Sequence, residues 1–224
     1  MISMSPRPKN STKEKTAENR QRILDSAEKV FAAKGFDGAN MREIATEANV
    51  NKFMLYYHFE NKQTLFEQVL DTVTKPLFRQ LSTYISQAST LEAALVEVYN
   101  LYAELFTRHR GRIRSFVARD LATSSPRIGK LLKLRARDIV GLWEPKIVDF
   151  IGRGPLPQRE VVWTTVSIMT TIVSTFLTQP AFVNVLVVYG LSPQDPAYQD
   201  HVVRFILGGV RHRFEHEEPV RTEV

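Results

Sequence analysis

Residues 40–60 read NMREIATEANVNKFMLYYHFE, and this stretch decides the fold. Asn40 is suited to cap a helix, its side-chain oxygen accepting a backbone N–H, and Glu43 three residues on can reach back to the cap amide. The helix so started points Ile44 and Ala45 inward, and a residue as small as Ala45 permits a close helix crossing. Ala48-Asn49-Val50 makes the turn. Asn49 tolerates positive φ, where glycine would be commoner, and Val50 plugs the angle between the helices. Asn51 then caps a second helix whose Leu55 and Phe59 face the core. Two short helices joined this tightly form a helix-turn-helix.

On the second helix Lys52, Phe53, Tyr56, Tyr57 and His58 are left facing solvent. A helix-turn-helix is the architecture that lays its second helix in a DNA major groove. Lys52 can neutralise a phosphate. Tyrosine hydroxyls can donate to phosphates or base edges while their rings meet thymine methyls. Packing offers Tyr56 and Tyr57 a competing role, that of covering the preceding helix. His58 suits a phosphate contact and a seat against the tyrosines equally.

Outward from this stretch, nearly every segment has helical periodicity. Ile23, Ala27, Val30 and Phe31 recur at i, i+4, i+7 and i+8. Gly35 supplies a left-handed residue to end that helix, with Phe36 for the accompanying apolar contact. A longer helix begins after Asn61 and runs through Leu65, Phe66, Val69 and Leu70. Further helices are expected over 91–107, 113–121, from Ser125-Pro126 to Trp143 with a bend near Pro145, 160–177 and 198–215. Residues 152–157 read as a break. The long connection after Leu177, holding Pro180, Gly190, Pro193 and Pro196, reads as loop, with Val183 to Tyr189 locally β-prone. No strand pattern persists, so the fold class is all-α.

Composition bounds the function. The 224 residues suffice to bury a core, and 43% are hydrophobic and 24% charged, as in ordinary soluble domains. The absence of cysteine excludes disulfides, zinc-thiolate sites and thiol catalysis. No nucleophile–base–acid set, glycine-rich phosphate loop or paired-carboxylate spacing is present, so neither an enzyme nor a cofactor is expected. The net charge of +6 lowers the cost of approaching DNA phosphates or anionic lipid. Residues 1–15 read as a disordered basic tail with no apolar core of a secretory signal, either an inert extension or an arm reaching DNA. No charged residue occurs between Glu160 and Asp195. That run is long enough for a membrane span, but Gln179-Pro180 and Asn184 interrupt it, and neither flank carries a Lys/Arg cluster. A buried helix of a soluble cytoplasmic protein is the expectation, with membrane attachment through 161–177 the rival.

The motif resembles the signature of the TetR family of transcriptional regulators, T-x-R-x-I-A…G-V-S-x-G-x-L-Y-x-H-F-x-S-K. Asn40-Met41-Arg42-Glu43-Ile44-Ala45 and Leu55-Tyr56-Tyr57-His58-Phe59-Glu60-Asn61-Lys62 carry the likeness, and Arg22 to Phe36 resembles the family's first helix. By position, the resemblance implies that Arg42 touches DNA backbone or a base and that Asn40 stands where a phosphate-binding Thr is usual. Asn51 and Lys52 open the recognition helix, Tyr56 and His58 resemble phosphate contacts, and Phe53 and Tyr57 point toward bases. Lys62 resembles a lysine that grips phosphate at a helix N-terminus. Three residues depart from the pattern: Asn49 for Gly, Asn51 for Ser, and Phe53 for a small residue, the last altering base preference or docking.

The resemblance further implies a three-helix DNA-binding domain over 16–62 and a helical effector-binding and dimerisation domain over 63–224. The expected function is a ligand-responsive homodimeric repressor of a palindromic operator, with an activator of the same fold as the alternative. The last two helices would dimerise through Trp163, Val166, Thr170 and Val173 and through Val203, Ile206, Leu207, Val210 and Phe214. Tyr99, Tyr102, Phe106, Phe116, Trp143, Ile147, Met169 and Phe176 are candidate walls for a small hydrophobic or amphipathic effector, an anionic one included. Residues 108–137 hold ten Arg/Lys and a single acid, Asp120. They read as a solvated face, a rim for an anionic effector, or a surface near DNA backbone. His212 and His216 have the spacing of a two-histidine metal site, but surface residues near a terminus are the expectation, and no metal is expected.

Overall fold

Ile23, Leu24, Ala27, Val30 and Phe31 line one face of the first helix, and all are buried. The computed structural model describes residues 9–108, 112–121, 127–191 and 195–215. Its regular elements there are all helices: α1 (Lys9–Gly38), α2 (Met41–Glu47), α3 (Lys52–His58), α4 (Lys62–Gln87), α5 (Leu91–Arg108), α6 (Arg112–Leu121), α7 (Arg127–Ile151), α8 (Gln158–Leu177), α9 (Gln179–Val188) and α10 (Pro196–Glu215).

The chain divides into two units, each with its own core. The first runs to Pro76 and also takes Ser115–Ile128; the second takes Leu77–Arg114 and Gly129–Val224. The expected boundary at residue 62 therefore moves. Leu65, Phe66, Val69 and Leu70 of α4 bury their side chains with α1, α2 and α3, because an apolar stripe belongs to whichever core covers it. Val117 and Ile128, far along the chain, pack against that same core.

In the first unit Gly35 has φ 73°, the left-handed turn expected of it. The chain leaves the α1 axis there and swings Phe36 against Phe31 and Phe66, at ring-centroid distances of 6.2 and 5.1 Å. The helix begins earlier than expected. Residues 9–15, Lys-Asn-Ser-Thr-Lys-Glu-Lys, are its first turns, not tail, since they contain neither Pro nor Gly. Residues 1–8 of the expected tail lie outside the described residues.

In the second unit α5 packs against α8 and α10. Leu95, Val98, Trp143, Ile147, Ile168, Ile172, Val203 and Val210 form the centre of its core. Beside that core, α10 is tied to the start of α8. Glu160, nearly buried, accepts from Arg213 at 2.9 Å, with Arg159 Nε at 3.4 Å. α8 is long and apolar enough to cross a membrane. Its Val161, Thr164, Thr165, Ile168, Ile172 and Phe176 are nonetheless buried within the protein.

Two expectations are corrected here. α7 runs on through Pro145 to Ile151. The segment expected as a loop after Leu177 contains α9, with its proline in the first turn, where a missing N–H costs no hydrogen bond. The β-prone Val183 to Val188 stretch is thus helical; propensity is a weak prior once a first-turn proline and packing against α8 favour the helix.

Candidate nucleic-acid interface

Three asparagines start the three helices around the turn. Asn40 Oδ1 accepts from Glu43 N at 2.8 Å, Asn51 Oδ1 from Met54 N at 2.7 Å, and Asn61 Oδ1 from Thr64 N at 2.9 Å. Each satisfies one of the N–H groups a helix start leaves without an intrahelical partner. Asn61 was not singled out from sequence, although Asn three residues before Thr64 carries the same capping signal as the other two. Between α2 and α3 the chain reverses at Asn49, whose φ is 50°, and Val50 N closes the turn on Ala45 O at 3.0 Å.

The expected return bond from Glu43 to its cap is replaced by an ion pair. Glu43 Oε1 lies 2.6 Å from Lys34 Nζ of α1, and Glu47 pairs with Lys29 at 3.1 Å. A long carboxylate close to an ammonium on the packed helix gains more from it than from a single amide. The result is that the acids of α2 are neutralised toward α1.

α3 buries only Leu55. Phe53 is 87% exposed and Tyr57 77%, and Lys52 is also exposed. Tyr56, 42% exposed, has the Lys52 ammonium 5.6 Å from its ring centroid. A shallow cleft of about 420 Å³ runs between the starts of α2, α3 and α4, lined by Asn40, Arg42, Lys52, Tyr56, Asn61 and Lys62 among others. Its charged lining is entirely cationic: Arg42, Lys52 and Lys62. The structure therefore brings Asn40, Arg42, Lys52, Tyr56 and Lys62 together, and leaves Phe53 and Tyr57 projecting from α3.

Three residues sit differently from a simple phosphate contact. The Asn51 side chain is engaged as a cap. Lys62 is half-buried, its ammonium donating to Ala39 O at 3.0 Å and lying 4.5 Å from the Phe36 ring centroid. His58 is half-buried with Tyr57 edge-on at 5.2 Å, and burial, aided by the Arg20 charge, pushes its pKa below the usual value. Of the two roles left open for His58, its surroundings are those of packing.

In the second unit Tyr99, Tyr102, Phe106, Trp143, Ile147 and Phe176 are buried in one cluster, with Met169 at its edge. Phe176 lies 4.9 Å from Tyr99 and 5.9 Å from Phe106 by ring centroids. Burial, with a smaller push from Tyr198, raises the Tyr99 pKa to about 12, and burial raises that of Tyr102. The Phe116 side chain lies outside the described residues.

The two expected dimer stripes face opposite ways. Trp163, Val166 and Thr170 of α8 are exposed, whereas Val173 is half-buried. On α10, Val203, Ile206, Val210 and Phe214 are buried in the protein's own core and Leu207 packs at its edge. The reason is a competition between stripes: α10 has one dense apolar face, and α5 and α8 cover it. Its outward face carries Phe205, Gly208 and Gly209 instead. His212 is exposed on α10, and His216 lies outside the described residues.

The sequence profile of the family described as bacterial regulatory proteins, tetR family, matches residues 23–69, the segment that builds α1 to α4 around this cleft. Over that segment the chain is similar to the TetR family. Among curated TetR-type relatives, the icaADBC negative regulator IcaR of Staphylococcus aureus is 41% identical over 49 residues. That match covers 22% of this chain and spans about a quarter, 26%, of IcaR. The repressor BepR of Brucella suis is 26% identical over 177 residues, 75% of this chain and 83% of BepR. Among solved structures, FadR of Bacillus subtilis in complex with stearoyl-CoA superposes with a TM-score of 0.65 at 17% identity, covering 84% of this chain and 98% of that one. AibR in complex with isovaleryl coenzyme A and operator DNA gives 0.59 at 16%, covering 85% and 97%. At such identities the likeness is one of fold alone.

Proposed function

We propose that this chain is a TetR-family, ligand-responsive transcriptional repressor that binds operator DNA as a homodimer in the cytoplasm. The observation that carries the reading is the cationic cleft beside α3. Arg42, Lys52 and Lys62 line it without an acid, and Phe53 and Tyr57 project from a helix held by one buried leucine. Cations beside an exposed helix suit phosphates flanking a major groove, and exposed rings suit base edges and thymine methyls. BepR, described as a repressor, supports the direction of regulation.

The effector we infer is an amphipathic acyl-CoA thioester or a molecule of similar chemistry, with the Tyr99–Phe106–Phe176 cluster as the wall for its acyl part. FadR and AibR bound to acyl-CoA ligands support this. An effector that favours the form fitting DNA poorly lowers operator occupancy by linkage. The dimer face we assign to α8 and α10 uses Trp163 and Phe205 beside a groove of about 340 Å³ that Gly209 helps to line. Two copies would then read half-sites about one DNA turn, roughly 34–36 Å, apart.

The test is a fluorescence titration of duplexes from the flanks of the chain's own gene against scrambled duplexes, at several salt concentrations. We expect tighter binding to one flanking duplex, a steep salt dependence, and release by a long-chain acyl-CoA. Equal affinity for flanking and scrambled DNA would reject the operator reading. Binding unaffected by any acyl-CoA would reject the effector class alone.

A further inference from the structure

Arg127 opens α7, yet its side chain belongs to the helix-turn-helix unit. Its guanidinium carbon lies 3.6 Å from the Phe36 ring centroid and 5.5 Å from that of Phe66. Nε donates to Gln63 Oε1 at 3.3 Å, and NH1 lies 4.0 Å from Asp120 Oδ1. The Arg127 side chain is 18% exposed and that of Asp120 2%. Asp120 Oδ2 in turn accepts from Ile128 N at 2.8 Å. The start of α7 is thus fixed to α6 by Asp120 and to α1 and α4 by the guanidinium plane.

The same Phe36 ring seats Lys62. We propose that Arg127 is a positioning residue for the DNA-facing cleft, holding Lys62 in place through Phe36 and Gln63; this rests on the DNA-binding reading above. Phe36 follows the left-handed Gly35, so no continuing helix dictates where its ring lies, and a tertiary contact must do so. Arg127 stacks on that ring and at the same time grips Gln63, the residue next to Lys62. A lysine stem left free loses rotamer entropy when it is ordered on a ligand, and a prepared seat reduces that cost. Arginine suits the task where lysine does not, because its planar group stacks on a ring while its edge keeps donors for Gln63 and for the carboxylate beneath. Asp120 balances the second cation brought to a ring that already holds an ammonium.

The experiment uses the full chain and the flanking duplex. Affinity is measured against salt for the wild type, Lys62→Ala, Arg127→Met, Arg127→Lys and the Lys62→Ala/Arg127→Met pair. Losing one phosphate contact reduces the slope of log K against log salt by about 0.9. We expect that reduction in Lys62→Ala and Arg127→Met alike, with roughly tenfold weaker binding in each. The double variant is expected to be no weaker than the weaker single one. Arg127→Lys, which keeps the charge and loses the stack, is expected to follow Arg127→Met. A wild-type slope in Arg127→Met, or fully additive losses in the double variant, would overturn the proposal; a corner that merely holds α7 would give that result. If Arg127→Met does not fold by circular dichroism, Phe36→Leu carries the test, since it keeps apolar volume and removes the ring; the same slope loss supports the proposal and a wild-type slope overturns it. Wild-type protein that ignores salt and sequence would sink the DNA reading itself, and the role of Arg127 with it.

Discussion

Asn49 shows how much a single backbone angle matters at this site. Its φ of 50° lets α3 leave α2 at the angle that exposes Phe53 and Tyr57. An alanine there must take the left-handed conformation against its own Cβ, so Asn49→Ala is expected to cost about 1–2 kcal/mol of stability. Asn49→Gly is expected to be near neutral, because glycine reaches that angle freely but has more chain entropy to lose. Urea unfolding of the three proteins checks the ordering; equal midpoints for Ala and Gly would mean that the turn relaxes. The sequence singles out Lys62 and Glu43 but not the groups they meet. Their nearest groups, Ala39 O and Lys34, come from the end of α1 and the link beyond it, and no local spacing announces them.

At the scale of the element, α3 is seven residues long with one buried side chain, well short of what an isolated helix needs. Its cap at Asn51 and the residues that end it therefore carry a disproportionate share of its stability. His58 is one of these. Its pKa is depressed in the folded chain by burial and by Arg20, so the unfolded chain takes up a proton more readily. The linked stability is present above the unfolded value of 6.5 and is lost as pH falls through the folded pKa. Unfolding free energy measured in steps down from neutral pH is expected to drop through that window, and His58→Gln to flatten the drop. An unchanged profile in the variant would assign the acid sensitivity elsewhere. α10 carries a second lesson at this scale. Periodicity marked its apolar stripe correctly, but periodicity alone cannot say whether a stripe meets its own core or another chain.

For the whole molecule, the proposed dimer would form on the outward faces of α8 and α10. Trp163 is 59% exposed and Phe205 68%, with Gly208 and Gly209 beside Phe205 leaving open space where a Cβ would stand. Small residues flanking exposed rings permit close approach of another helix. Trp163→Glu and Phe205→Glu are each expected to convert a dimer to monomer at micromolar concentration while leaving helicity unchanged. Leu134→Glu, at a still more exposed position on α7, is expected to leave the dimer intact. Sedimentation velocity reads all three, and a dimer that survives both ring substitutions would place the interface elsewhere. The acidic replacements lie outside the buried stripe of α10, so a loss of dimer would not be a loss of fold.

The helix-turn-helix was legible in the sequence because its signals are local. Capping asparagines, a turn residue that accepts positive φ and apolar spacing over one or two turns act between neighbours along the chain. The same holds for the lengths of α5, α6, α8 and α10. Tertiary structure alone decided which faces turn inward, since that depends on competing apolar stripes finding cover. It put Val203, Ile206, Val210 and Phe214 into the protein's own core and left Trp163 and Phe205 outside. It made a helix of the segment after Leu177. It also brought Arg127 to Phe36 across ninety residues of sequence. The motif at residues 40–60 is local and marks the surface we propose meets DNA; the contacts beneath that surface are tertiary.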